Sequence, residues 1–161
     1  MSHDEAPLDG TLFGPGQPCF GCGPDHPIGF RLTFVREGDD IVTRFTPTER
    51  YQGPPGIMHG GLVMALADEL GAWALIGLLG KFGFTAQMSG KLHRPARIGV
   101  EIEGRARIKK PGTRIVDVEV ALAQEGTTTY TGELRFVLLD EKGAERMLGG
   151  PLPEAWKRFS R

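Results

Sequence analysis

Two spacings of apolar residues and two kinds of break organise the chain. Residues up to about Pro27 are rich in Pro and Gly and predict an irregular arm. From Ile28 to Val35 apolar positions alternate, with Ile28, Phe30, Leu32 and Phe34 on one side, which predicts a strand. Gly38-Asp39-Asp40 predicts a turn. Asp40 to Thr46 predicts a second strand with Ile41, Thr43 and Phe45 on one face, so the two runs form a hairpin. Gln52-Gly53-Pro54-Pro55-Gly56 then excludes both helix and central strand, because proline lacks the donor and glycine the stiffness.

From Gly60 to about Leu79 the spacing changes. Leu62, Val63, Leu66, Leu70, Trp73, Ala74 and Ile76 do not fit on one helical stripe, so this segment predicts a helix apolar nearly all round, hence a buried one. Gly80 is its stop. Strands are predicted again over Phe84 to Leu92, Val100 to Lys109, Ile115 to Ala123 and Thr128 to Leu139, with Pro111-Gly112 and Gln124-Glu125-Gly126 as turns. In the second of these, Val100, Ile102, Gly104, Ala106 and Ile108 alternate with charged residues, the signature of a half-exposed antiparallel strand. A polar tail follows from Asp140, with a short docking helix expected near Ala155–Phe159.

The resulting class is α+β, an antiparallel sheet covering one long helix. The expected organisation is an arm over 1–27, a single domain over 28–140 and a tail over 141–161. One sheet does not cover every side of such a helix. The rest of its surface must meet the arm or another copy of the chain, so a homo-oligomer is expected.

Composition narrows the picture by exclusion. The chain has 161 residues, 40% of them hydrophobic, and a formal net charge of -1. That suits one soluble domain with its own core and gives no electrostatic footprint for nucleic acid. The apolar run Leu70 to Leu79 is too short to span a bilayer, and Met1-Ser2-His3-Asp4-Glu5 lacks the features of a secretory signal. A cytoplasmic protein with no nucleic-acid or membrane partner is expected.

Inside the apolar helix only Asp68 and Glu69 carry charge. A buried carboxylate is costly unless paired, shifted in pKa or used. The two acids sit about 100° apart around the helix, so they face different directions. Asp68 returns to roughly the side of the helix start, while Glu69 is either an edge residue or one that supports the site from behind. The competing reading of Asp68 is a structural ion pair with a basic residue. At the helix start, His59-Gly60-Gly61 presents amides without side chains over them, where a substrate oxygen can approach and where the dipole favours negative charge. Amides preset in this way form an oxyanion hole.

Gln52 to Gly61, followed by Leu66-Ala67-Asp68-Glu69 and Gly71-Ala72-Trp73, resembles the hotdog-fold acyl-CoA thioesterases, closest to the phenylacetate-pathway and 4-hydroxybenzoyl-CoA type. Cys19-Phe20-Gly21-Cys22-Gly23 is similar to the N-terminal signature of a subset of that family. The resemblance runs from about Cys19 to Leu139. It implies a curved antiparallel sheet wrapped around the helix, dimers that often pair into tetramers, and active sites at the dimer interface. It implies thioester hydrolysis with Asp68 as general base or nucleophile, the Gly60 amide polarising the carbonyl, His59 orienting, and Thr85 near the attacking water. Gly61, Gln52, Glu69, Ala86 and Arg94 are the residues expected to bind an acyl-CoA substrate. Gln52 stands one place away from the matching position, which is Gly53. Ala72 replaces a threonine that one branch uses. No cofactor is implied beyond the coenzyme A of the substrate.

The remaining candidates are weaker. Cys19 and Cys22 form a CxxC, but a structural zinc site needs four ligands and the nearby addition is His26 alone, so no metal is expected and a packing loop is favoured. Arg94, Arg105, Arg107, Lys109 and Lys110 suit phosphate, against the alternative of a solvated strand face. His3 and His93 are expected to be exposed, and Trp73 and Phe84 to pack. Two other functions compete. The first is a non-catalytic acyl-CoA-binding hotdog module, which needs no buried acid. The second is a hotdog dehydratase, which wants an Asp and a His paired on the helix, whereas His59 precedes it.

Overall fold

The structure is a computed structural model that describes residues 7–161, so His3 and the start of the chain lie outside the described residues. Strands β1 (Val35–Glu37) and β2 (Asp40–Phe45) form the expected hairpin, turning at Gly38 with φ 63. Helix α1 (Gly60–Ala74) continues through a π-helical turn over Leu75–Leu79 to Gly80, whose φ of 64 is a left-handed stop. Then come β3 (Gly83–Leu92), β4 (Ile102–Lys110), β5 (Ile115–Gln124) and β6 (Thr127–Leu138). The chain closes with α2 (Glu141–Leu148) and α3 (Glu154–Lys157). All six strands join one antiparallel sheet in the order β1-β2-β4-β5-β6-β3.

The sheet curls around α1 because its inner face is apolar at every second residue. On β5, Val116, Val118, Val120 and Leu122 are buried while Ile115, Glu119 and Ala121 are exposed. On β4, Ile102, Gly104 and Ala106 face in. Gly104 lies where α1 crosses the sheet tightly, since a Cβ there would stand 2.7 Å from Leu70 Cδ2 and 2.9 Å from Leu122 Cδ2. Leu66, Leu70, Trp73 and Leu75 fill the space between helix and sheet with no exposure above 1%. Counted from Gly60, the apolar segment is 20 residues long with mean hydropathy 1.8, enough to cross a bilayer by length and composition. The run beginning at Leu70 therefore understated it. In this fold the sheet supplies the apolar surroundings.

Two segments differ from expectation. Residues 28–34 are not a strand. Phe30, Leu32 and Phe34 are buried as their alternation requires, but Ile28 is 60% exposed and Arg31 takes φ 53, which breaks a ladder. Their backbone bonds go to the arm instead: Phe30 N–H to Phe20 O (2.9 Å), Leu32 N–H to Gly21 O (2.9 Å), and a bridge between Phe34 and Leu8. The arm is therefore a packed lid. The tail carries α2, capped by the Asp140 carboxylate accepting from Gly143 N–H at 2.7 Å.

Lid and tail cover the back of α1. Phe34 stacks on Trp73 at 4.7 Å, Phe13 meets its edge at 5.8 Å, and Trp156 of α3 lies 4.1 Å from Phe13. At the far edge β3 stays uncovered. All ten of its residues are at least partly exposed, and Leu92 is 48% exposed.

Candidate active site

The second turn of α1 and the first residues of β3 bring Asp68 and Thr85 together. Thr85 Oγ1 donates to Asp68 Oδ1 at 2.6 Å, so the partner of this acid is a hydroxyl and not the basic residue of the ion-pair reading. Partial burial raises the Asp68 pKa above the usual carboxylate range, and the Thr85 hydrogen bond opposes that. The register of β3 on β6 shifts between Thr85 and Gln87, so Ala86 is the extra residue of a bulge and is exposed beside the acid.

At the start of α1, His59 is the N-cap, with its Nδ1 accepting from Gly61 N–H at 3.0 Å. That engages the Gly61 amide and sets His59 just outside the helix. Gly60 N–H makes no hydrogen bond among the described residues, as expected of an orphan helix-start donor. The Leu92 side chain, at the end of β3, lies against Gly60. Arg94, two residues on, is exposed and makes no ion pair among the described residues. Gln52 points elsewhere: its Oε1 accepts from Gly56 N–H at 3.1 Å and closes the preceding turn. Gly53 backs onto His59, where a Cβ would stand 3.3 Å from His59 Cα.

Glu69 does not lie at an exposed edge, the first of its two expected places. It turns about one-quarter of the way round the helix from Asp68 and lies under the CxxC turn, 3.4 and 3.6 Å from Cys19 Sγ. Trp73 Nε1 donates to Glu69 Oε1 at 3.1 Å. Burial, then the charge of Cys19, pushes the Glu69 carboxyl up to about 7. Hydrogen bonding from Cys22 holds Cys19 down to about 5 against burial, and the same pairing raises Cys22. An apolar cavity of about 470 Å³ extends from this point, lined by Phe13, Trp73, Ile76, Phe84 and Trp156 among others. Phe84 and Trp73 thus both pack and line a cavity.

Most of the basic residues on the outer sheet face are already engaged. Arg105 pairs with Glu37 at 2.8 Å, Arg107 with Asp40 at 2.8 Å, and Lys109 with Glu133. Tyr130 is a residue the sequence did not single out. Its hydroxyl is the one buried side-chain polar atom without a hydrogen bond among the described residues, and it sits closely over Gly90 and Gly132. Burial and then the Asp68 charge raise its pKa, which puts it within electrostatic reach of the acid.

A family model described as the thioesterase superfamily matches residues 55–131, from the turn before His59 into β6. The curved sheet around one helix is the fold of solved members. The chain has the hotdog fold, and over 55–131 it is similar to the thioesterase superfamily. Among solved structures, one thioesterase superfamily protein is 26% identical with TM-score 0.68; the match covers 74% of this chain and spans 59% of that protein's length. A phenylacetic acid degradation-related protein from Ralstonia eutropha is 22% identical with TM-score 0.62, over 68% of this chain and 86% of that one. A hypothetical thioesterase from Streptococcus pneumoniae, solved with coenzyme A, is 16% identical with TM-score 0.61, over 65% and 85%. No curated protein matches the chain. The matched region holds His59, Gly60, Asp68 and Thr85, whereas the cysteine lid and the helical tail of this hotdog protein lie outside it.

Proposed function

We propose that the protein is an acyl-CoA thioesterase with Asp68 as general base and the Gly60 amide as oxyanion donor. The observation that carries this reading is the half-buried Asp68 held by Thr85, on a helix whose first amide is free. Thr85 occupies Oδ1, which leaves Oδ2 to take a proton from water. The hydroxide equivalent adds to the thioester carbonyl, and the Gly60 N–H holds the resulting oxyanion. Collapse breaks the C–S bond. The proton on Asp68 passes to the departing thiolate, giving free acid and coenzyme A.

Gly60 and Asp68 of one chain are eight residues apart, a rise of about 12 Å, too far to touch one carbonyl carbon. A second copy resolves this. Antiparallel pairing of two exposed β3 edges sets the Thr85 end of one against the Leu92 end of the other, so Asp68 meets the partner's Gly60. The dimer mass is expected by light scattering at micromolar concentration, and a monomer mass would remove this arrangement. Arg94, two residues beyond Leu92 and without an ion pair among the described residues, would meet coenzyme A phosphate, and the 470 Å³ cavity would take an apolar acyl group. Coenzyme A in the pneumococcal relative supports that substrate class. Release of free thiol from short, long and aromatic acyl-CoAs tests the activity. No release from any of them would refute it.

A further inference from the structure

The CxxC turn and Glu69 form a cluster of donors that the thioester chemistry leaves unused. We propose that Cys19, Cys22 and Glu69 bind a zinc ion, with one coordination position open towards the apolar cavity. Their ligand atoms all lie within 4.8 Å of one another. Zinc binds sulfur at about 2.3 Å and carboxylate oxygen at about 2.0–2.2 Å, so two tetrahedral neighbours of these kinds stand about 3.5 Å apart. Cys19 Sγ and the Glu69 oxygens, at 3.4 and 3.6 Å, already have that spacing.

The surroundings are built for the cluster. Trp73 Nε1–H fixes the carboxylate from behind, as outer-shell donors do for metal ligands. Cys22 N–H points at Cys19 Sγ at 3.4 Å and supports a thiolate there. The turn closes on the carboxylate through residues without side chains. A Cβ on Gly21 would run into the Glu69 carboxyl, and one on Gly23 into the Gln17 and Cys19 carbonyl oxygens. Among the described residues the hydrogen-bond partners of Glu69 are a thiol and an indole, with no cation to offset a partly buried carboxylate. A divalent ion is the missing countercharge, and thiolate ligands select zinc over magnesium or calcium. His26 is not part of the set: its Nδ1 accepts from Ile28 N–H and its ring packs on Phe20.

Three protein ligands leave a fourth position, and the three residues line the apolar cavity, so a water completes the tetrahedron there. The thiols that bind release their protons to solvent. The ion fastens the lid to α1 and closes one wall of the cavity. This site stands whether or not the protein hydrolyses thioesters.

Full-length protein without a metal-binding tag, purified under reducing conditions and dialysed against metal-free buffer, is expected to retain one zinc per chain by elemental mass spectrometry. Cobalt(II) in its place is expected to give sulfur-to-cobalt charge-transfer bands. Those bands should vanish in Cys19→Ser/Cys22→Ser, and Glu69→Gln should bind cobalt about tenfold or more weakly. Zinc retained by the double serine variant would put the ion elsewhere and overturn the proposal. Should that variant fail to fold, the wild-type spectrum decides. A folded, reduced chain that gives no sulfur-to-cobalt bands also overturns it.

Discussion

Half-burial makes the Asp68 carboxylate a cost to the fold. Because burial raises its pKa, the ionised form is less favoured in the folded chain than in the unfolded one. That penalty is absent below the unfolded carboxylate's pKa, grows as pH rises towards the folded value, and stays constant at neutral pH. Asp68→Asn removes it while keeping an acceptor for Thr85. The variant is expected to lose at least about a hundredfold in turnover and to melt at neutral pH no lower than wild type. A lower Tm would make Asp68 a structural residue. The same shift gives a rate that rises with pH through an acid limb above the usual carboxylate range and then levels. An acid limb at or below that range would contradict the assigned base. Tyr130→Phe deletes a buried hydroxyl with no partner, so its stability is expected to stay within about 1 kcal/mol of wild type or to rise. A loss of several kcal/mol in chemical denaturation would show that the hydroxyl has a partner. Helical rotation alone made the separation of Asp68 from Glu69 legible. Tyr130 was not legible, because its isolation depends on Gly90 and Gly132 on two paired strands.

Among the elements, those with a strict period were readable. The alternation on β4 and β5 and the all-round apolar α1 follow from which faces they bury. Residues 28–34 have the same alternation yet bond to the lid, because burial of Phe30, Leu32 and Phe34 does not specify whose backbone lies alongside. Helix α2 did have signals: Asp140 at its N-cap, Glu141 in the first turn, Arg146 in the last, and Gly149 after it. A polar composition masked them. Within the core, Gly104 lies tightly under Leu70. Gly104→Val therefore overpacks it and is expected to cost about 1–3 kcal/mol in chemical denaturation, where a neutral result would mean the helix rides higher on the sheet.

The whole molecule leaves one long strand, β3, exposed along its edge, with the acid's partner Thr85 at one end and Leu92, beside Gly60, at the other. Such an edge is normally covered. The eight residues from Gly60 to Asp68, read as helix, already put the two groups of the proposed site about 12 Å apart in one chain. The sharpest test of a shared site is complementation between two inactive chains. Gly60→Pro removes the proposed oxyanion amide at a first helical position that tolerates proline, after a His59 whose φ -58 and ψ 129 already suit it. Asp68→Asn removes the proposed base. Each variant alone is expected to be inactive. A purified mixed dimer holds one intact pair of groups, and its expected thiol release is about half the wild-type rate per dimer. A mixed dimer as inactive as its parents would show that Asp68 and Gly60 act within one chain, and the account of a shared site would fail.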